Sequence, residues 1–263
     1  LLVVVLAALA PLLAKLLGAT CPALFLNGSS STGKSTLLRV ALSVMTASES
    51  LTTASGTKLG VREVAQRNQG HLTILDEIAS ADDPSMAIDL IFEVEGQSVR
   101  HRAGNGRNST PSSAPLDTAL CMANEHSVAD LLRRHARDGT QGVLGRTLEV
   151  MPGKNGMFNR VPDNCQPGDF ARALSETATA NGGNVLPKWI RVLGRLALND
   201  RDSWRDRYGE VGAQLCDDLE IKDPVQRRLA HGVAIWVVAG EIAAGNSLLQ
   251  IDRGLPYQAV KHL

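Results

Sequence analysis

Residues 28–36 read Gly-Ser-Ser-Ser-Thr-Gly-Lys-Ser-Thr and fill every position of the pattern G-x-x-x-x-G-K-[ST]. Main-chain N–H groups in such a loop, with the N-terminus of the helix that follows, make a concave site for phosphate oxygens. Gly28 and Gly33 permit a backbone path that a Cβ would obstruct. Ser29, Ser30, Ser31, Thr32 and Thr36 complete the expected phosphate-binding set. Lys34 is expected to reach the β- and γ-phosphates, and the Ser35 hydroxyl to bind Mg²⁺. A second motif, His-Leu-Thr-Ile-Leu-Asp-Glu over residues 71–77, is a β-rich apolar run that ends in two acids. An acid at the tip of a strand beside the loop holds the Mg²⁺ shell, the role expected of Asp76. Glu77 is expected to orient and deprotonate the attacking water. Two adjacent acids, rather than a lone Asp, favour water over another phosphoryl acceptor. The expected cofactors are ATP and Mg²⁺.

Such groups need a strand before the loop and a helix behind it. Residues 23–26, Ala-Leu-Phe-Leu, read as a buried strand, and residues 35–42 as a helix. Residues 51–54 fit a short second strand. Residues 57–69 fit a helix with Val61, Val64 and Ala65 on one face, and residues 86–94 fit another. Residues 103–115 are rich in Gly, Asn, Ser and Pro and read as a loop. Residues 119–124 form a short strand with a polar tip at Asn124. Ser127 is placed to cap a helix running to about Arg137, and residues 145–150 make a last strand. This alternation predicts a parallel α/β sheet. Residues 152–167, punctuated by Pro, Gly and Asn, read as a linker. Beyond them only helices are expected. One spans 186–198, with Trp189, Val192, Leu193 and Leu196 on its apolar face. A longer one spans 225–244, with Ala230, Val233, Ala234, Val237 and Val238 inward. The expected organisation is a leading apolar helix (1–22), an α/β core (23–153), a linker (154–167) and a small all-α domain (168–263).

Lys+Arg and Asp+Glu both total 27, so the formal net charge is zero. Any contact with nucleic acid must then come from a local patch. Cys21, Cys121, Cys165 and Cys216 are scattered with no C-x-x-C spacing, which fits reduced thiols in a cytoplasmic protein and argues against a metal site. Residues 1–17 are very apolar. A membrane span needs roughly 20 apolar residues, and Pro11 and Lys15 interrupt this run. A signal peptide needs a basic start, which is missing. Gly18-Ala19-Thr20-Cys21 is similar to a lipoprotein cleavage site but lacks its Leu. A buried helix beside the first strand is the expectation, with no membrane partner. The chain starts without Met and is expected to be a fragment of something longer.

Several segments together resemble the helicase-like ATPase domain of mobile genetic elements, typified by cassette chromosome helicases. The matching pieces are residues 24–44 around the loop, 72–78, Glu95-Gly96-Gln97-Ser98-Val99-Arg100, Met122-Ala123-Asn124-Glu125, Gln141-Gly142-Val143-Leu144-Gly145-Arg146, and, more weakly, 227–230 with 239–243. The resemblance implies a P-loop, AAA+-like parallel sheet with flanking helices, followed by a helical lid-like domain. It also implies a homo-oligomeric ring that moves along DNA in replication. Asn124 then resembles the polar sensor of the γ-phosphate or the lytic water, although an Asn that merely turns the chain would look the same. Arg146 resembles the arginine finger that reaches a neighbouring subunit's nucleotide, worth roughly 10³–10⁵ in turnover. Arg133 and Arg134 are rivals for that role. Arg228 resembles a lid arginine that touches phosphate. Arg100, Arg102 and Arg107 fall where ring translocases carry a pore hairpin, and would bind phosphates of single-stranded DNA without reading sequence. Alternatively Arg100 braces the active site. Departures from the family are the extended loop at 103–115 and the lack of an upstream primase or DNA-binding module. A small-molecule kinase with the same loop, or a nucleotide switch without helicase activity, are the alternative readings.

Overall fold

Apolar side chains occupy most strand positions, as a sheet covered on both faces requires. In this computed structural model residues 1–47, 51, 58–78, 85–96, 116–134 and 140–263 are described. The expected strand at 51–54, apart from Leu51, and the loop at 103–115 lie outside them. The strands β1 (Ala23–Asn27), β2 (Leu72–Leu75), β3 (Ala119–Asn124) and β4 (Thr147–Val150) are all parallel, in the order β2-β3-β1-β4. The chain is thus mixed α/β with a parallel sheet. Successive residues face opposite sides, since strand side chains alternate. Leu24 and Leu26 join one apolar cluster, while Ala23 and Phe25 join another.

The second cluster is closed by α3 (Lys58–Arg67), α4 (Ser85–Gly96), α5 (Val128–Arg134) and α6 (Thr140–Leu144), through residues such as Val61, Ile88, Leu131 and Val143. The first is larger. It holds α2 (Lys34–Met45), α1 (Leu2–Leu17) and the C-terminal helices α8 (Leu186–Asn199), α9 (Arg201–Asp218), α10 (Pro224–Gly245) and α11 (Leu255–Lys261). The helix α7 (Pro167–Ala180) packs along α2.

The N-terminal run forms the buried helix expected of it, but its main partners are α10 and α2 rather than β1. The reason is α10. Residues 232–240 of that helix are all buried, and a helix apolar all round must be enclosed. The helices α1, α9 and α11 and the sheet edge at β4 enclose it. The Trp189 indole donates to the Leu9 carbonyl at 2.9 Å. Arg201 and Arg205 donate to the carbonyls of Leu16 and Leu17 at 2.9 and 3.0 Å, so two guanidinium groups satisfy acceptors that a helix end leaves open. No described helix is long and apolar enough to cross a membrane.

Candidate functional site

At the end of β1 the chain turns through residues 28–33 into α2. Gly33 is the N-cap of α2 with φ 95°, a left-handed conformation that glycine takes at no steric cost. A Cβ there would also lie 3.0 Å from the Phe158 ring. The Thr32 hydroxyl donates to the Ser29 carbonyl at 2.9 Å, and the Lys34 ammonium donates to the Gly28 and Ser29 carbonyls at 2.5 and 2.8 Å. Among the described residues, the N–H groups of residues 29–36 donate to no acceptor. Grouped at a helix N-terminus, such amides suit an anion.

The loop is held from two sides. Gly28 N–H donates to the Asn124 carbonyl at 3.1 Å, and Met157 N–H donates to the Thr32 carbonyl at 2.8 Å. Residues 152–158, expected within a linker, therefore pack under the loop, with Met157 and Phe158 buried. The Phe158 ring meets the Phe170 ring of α7 edge-on at 5.2 Å.

Asp76 follows β2 and is only 7% exposed. Its Oδ1 accepts from Glu77 N–H at 3.0 Å. Glu77 is exposed and adopts φ 54°, unusual for a residue with a side chain and a sign of local strain. Asn124 ends β3 at 2% exposure, with its side-chain amide donating to the His126 carbonyl at 3.2 Å. Because β3 lies between β1 and β2, Asn124 stands between the loop and the two acids. Behind them, burial pushes the Cys121 thiol up to about 12, with the Asp76 charge adding to the effect. That thiol stays protonated and inert. On β4, burial holds the Glu149 carboxyl above its ordinary value, against hydrogen bonds from Val128 N–H and the Asn27 side chain that pull it down.

One cavity of about 530 Å³ is lined by residues 30–36, Asp76, Glu77, residues 123–125 and Ala171. The structure thus brings the loop, the acid pair and Asn124 to one place. Glu125 joins them, and its Oε1 accepts from the Ser30 hydroxyl at 2.7 Å. Its adjacency to Asn124 was the available sequence signal. Ala171 and the 152–158 brace had none, since only folding brings them to the loop.

Arg146 stands at the other end of the sheet. Its carbonyl accepts from Ala23 N–H, at the start of β1. Its guanidinium donates to the Gly142 carbonyl at 2.7 Å and lies 5.4 Å above the Phe92 ring, a cation–π contact. Arg133 is exposed and pairs with Asp130 at 2.6 Å, and Arg134 is exposed beside it. Arg228 is exposed on the first turns of α10 and does not line the cavity. Arg100, Arg102 and Arg107 lie outside the described residues.

A parallel sheet with a glycine-bearing loop, acids and an amide at its carboxyl-terminal edge is the kind of α/β fold that binds ligands at that edge. A family model described as a domain of unknown function (DUF927) matches residues 1–110. No curated protein matches the chain. Among solved structures, the chain is similar to one described as "SCCmec type IV Cch - active helicase". The TM-score is 0.71, with 16% identity over 98% of this chain. The chain spans 46% of that structure's length. A likeness at that identity is one of fold, and it extends over nearly all of this chain.

Proposed function

We propose that this chain is the ATP-hydrolysing motor module of a DNA helicase of the mobile-element kind, at work in replication. The observation that carries the reading is the shared cavity, where the phosphate-type loop, Asp76, Glu77 and Asn124 converge. The fold likeness to a helicase supports it. The residues present fit Mg²⁺·ATP. The amides of residues 29–36 suit phosphate oxygens. The Ser35 hydroxyl and the Asp76 carboxylate are hard oxygen donors of the kind Mg²⁺ takes, one or two from protein and the rest from water and phosphate. When bound, the metal nucleotide supplies the scissile phosphoanhydride and neutralises charge that develops on it.

In this reading Lys34 leaves the Gly28 and Ser29 carbonyls for the terminal phosphates. Glu77 takes a proton from water, and Asn124 orients that water or the leaving phosphoryl oxygens. Glu77 and Asn124 stand at strand ends, where groups fixed in advance stabilise developing charge with little reorganisation, while Lys34 must exchange its carbonyl partners for phosphate. Arg146, a strand length from its own loop, would reach nucleotide only on a neighbouring copy. That role requires it to leave Phe92 and Gly142, whereas Arg133 and Arg134 are already exposed. Arg228 would approach phosphate only after α10's first turns come closer to the cavity. Arg100, Arg102 and Arg107 would contact DNA phosphates in a ring of copies in the cytoplasm, with primase or DNA-binding modules supplied elsewhere in the protein.

The test is phosphate release with and without single-stranded DNA, in wild type and in Glu77→Gln. Wild type is expected to be stimulated by DNA. The variant is expected to bind ATP and turn it over barely at all. Phosphate transfer to a metabolite, with no response to DNA, would falsify the helicase reading in favour of a kinase. Mixing Arg146→Ala with Lys34→Ala subunits tests the finger, since activity returns in the mixture only if Arg146 acts across an interface.

A further inference from the structure

Ser30 and Glu125 face each other across the mouth of the cavity. The Ser30 hydroxyl donates to Glu125 Oε1 at 2.7 Å, one residue beyond the place where Gly28 N–H donates to the Asn124 carbonyl. The loop and the tip of β3 are therefore tied at two places, Gly28 to Asn124 and Ser30 to Glu125. The tie also adds a charge. Asp76 and Glu77 already place carboxylates on the cavity wall, and Glu125 adds another, against Lys34 alone among the lining cations. A polyphosphate tail gains negative charge with every phosphoryl group, and each nearby carboxylate opposes it by Coulomb repulsion. Asp76 has a use for its charge as a metal ligand and Glu77 as a base. Glu125 has neither.

We infer that Glu125 is a positioning and discriminating residue. Its carboxylate holds Ser30 at the loop tip and bars a polyphosphate whose charge Mg²⁺ has not neutralised. The inference rests on the nucleotide reading above. It predicts that wild type binds Mg²⁺·ATP far better than ATP in EDTA, and that the size of this gap is set in part by Glu125.

The experiment is calorimetric titration of the full chain with ATP, in Mg²⁺ and in EDTA. It compares wild type, Glu125→Gln, Glu125→Asp and Ser30→Ala. Glu125→Gln keeps an acceptor for Ser30 and removes the charge, so the ratio of the two affinities should narrow by about threefold to tenfold, the range for one exposed like charge nearby. Ser30→Ala and Glu125→Asp keep the charge and should keep the ratio. A merely structural Glu125 would shift both affinities together in Glu125→Gln and leave the ratio at the wild-type value, which overturns the inference. Turnover lost in Glu125→Gln with the ratio unchanged also overturns it and makes Glu125 a base. Failure of wild type to bind Mg²⁺·ATP at all sinks the nucleotide reading itself, so the two failures are distinguishable.

Discussion

The loop end of the sheet and the helical core around α10 are held by different forces. At the loop, Ser31, Gly33, Glu77 and Gly156 all take positive φ, and many of the contacts are hydrogen bonds to main-chain groups. Around α10, Ile235 to Ala239 are wholly buried, and no special backbone angle is needed. Strained angles persist only where the surroundings over-determine them. Here the surroundings are the β3 tip on one side and the 152–158 brace on the other. The α10 core is held by apolar burial, and the loop end by directional contacts around the cavity.

This contrast predicts that chemistry and stability can be broken separately. On the proposed function, Glu77→Gln should lower turnover by about 10²–10⁴, the range for removing a general base. An exposed substitution of this kind should leave stability within about 0.5 kcal/mol. Thermal melting beside steady-state kinetics checks both halves. Trp236→Ala is the opposite break. Trp236 is fully buried on α10, and deleting such a side chain costs about 3–5 kcal/mol, read as a lower denaturation midpoint. Its indole N–H has no partner among the described residues. Trp236→Phe should therefore cost much less than Trp236→Ala, because it also removes an unsatisfied buried donor.

The same contrast explains what the sequence discloses. The 28–36 loop, the Asp76–Glu77 pair and the strands at 23–27, 72–75 and 119–124 follow from local patterns, because each is built from neighbours in the chain. The helices at 186–199 and 224–245 follow from apolar spacing. The helix α9 does not, since few of its residues are apolar and only Val211, Gly212, Leu215 and Cys216 are buried. Nor does the enclosure of α10 by α1, which joins the two ends of the chain. Residues 152–158 carry Pro and Gly and look like a linker, and their use as a brace depends on Thr32 being folded above them.

Gly156→Ala tests that brace. Gly156 takes φ 68°, and a Cβ there would lie 2.4 Å from the Thr32 carbonyl oxygen, closer than any ordinary contact. A side chain in this conformation costs of order 1–3 kcal/mol, and the neighbour that must yield is Thr32 of the 28–36 loop. Nucleotide affinity should therefore fall by about tenfold or more, where 1.4 kcal/mol is tenfold. Stability should fall less than in Trp236→Ala. Unchanged affinity would mean that the loop keeps its shape without support from below.

The smallest effects come from acid titration, where the two regions respond with opposite sign. Asp218, at the end of α9, accepts from Lys261 and from the Tyr257 hydroxyl, both at 2.8 Å. Those hydrogen bonds, Lys261 first, hold its carboxyl below the ordinary value. A depressed carboxyl contributes stability above its unfolded value of about 3.9, and that contribution is lost as pH falls through the folded one. Glu149, near the loop, is raised by burial. Its contribution is present below the unfolded value of about 4.3 and is lost as pH rises through the folded one. Asp218→Asn should therefore melt below wild type at neutral pH and converge with it in acid. Glu149→Gln should melt above wild type at neutral pH and lose that advantage in acid. Melting temperatures of both variants between pH 3 and 7, each set against wild type, read the signs directly. If the two differences moved in the same direction with pH, burial would not be what governs Glu149, and the loop end would be anchored by that carboxylate rather than strained around it.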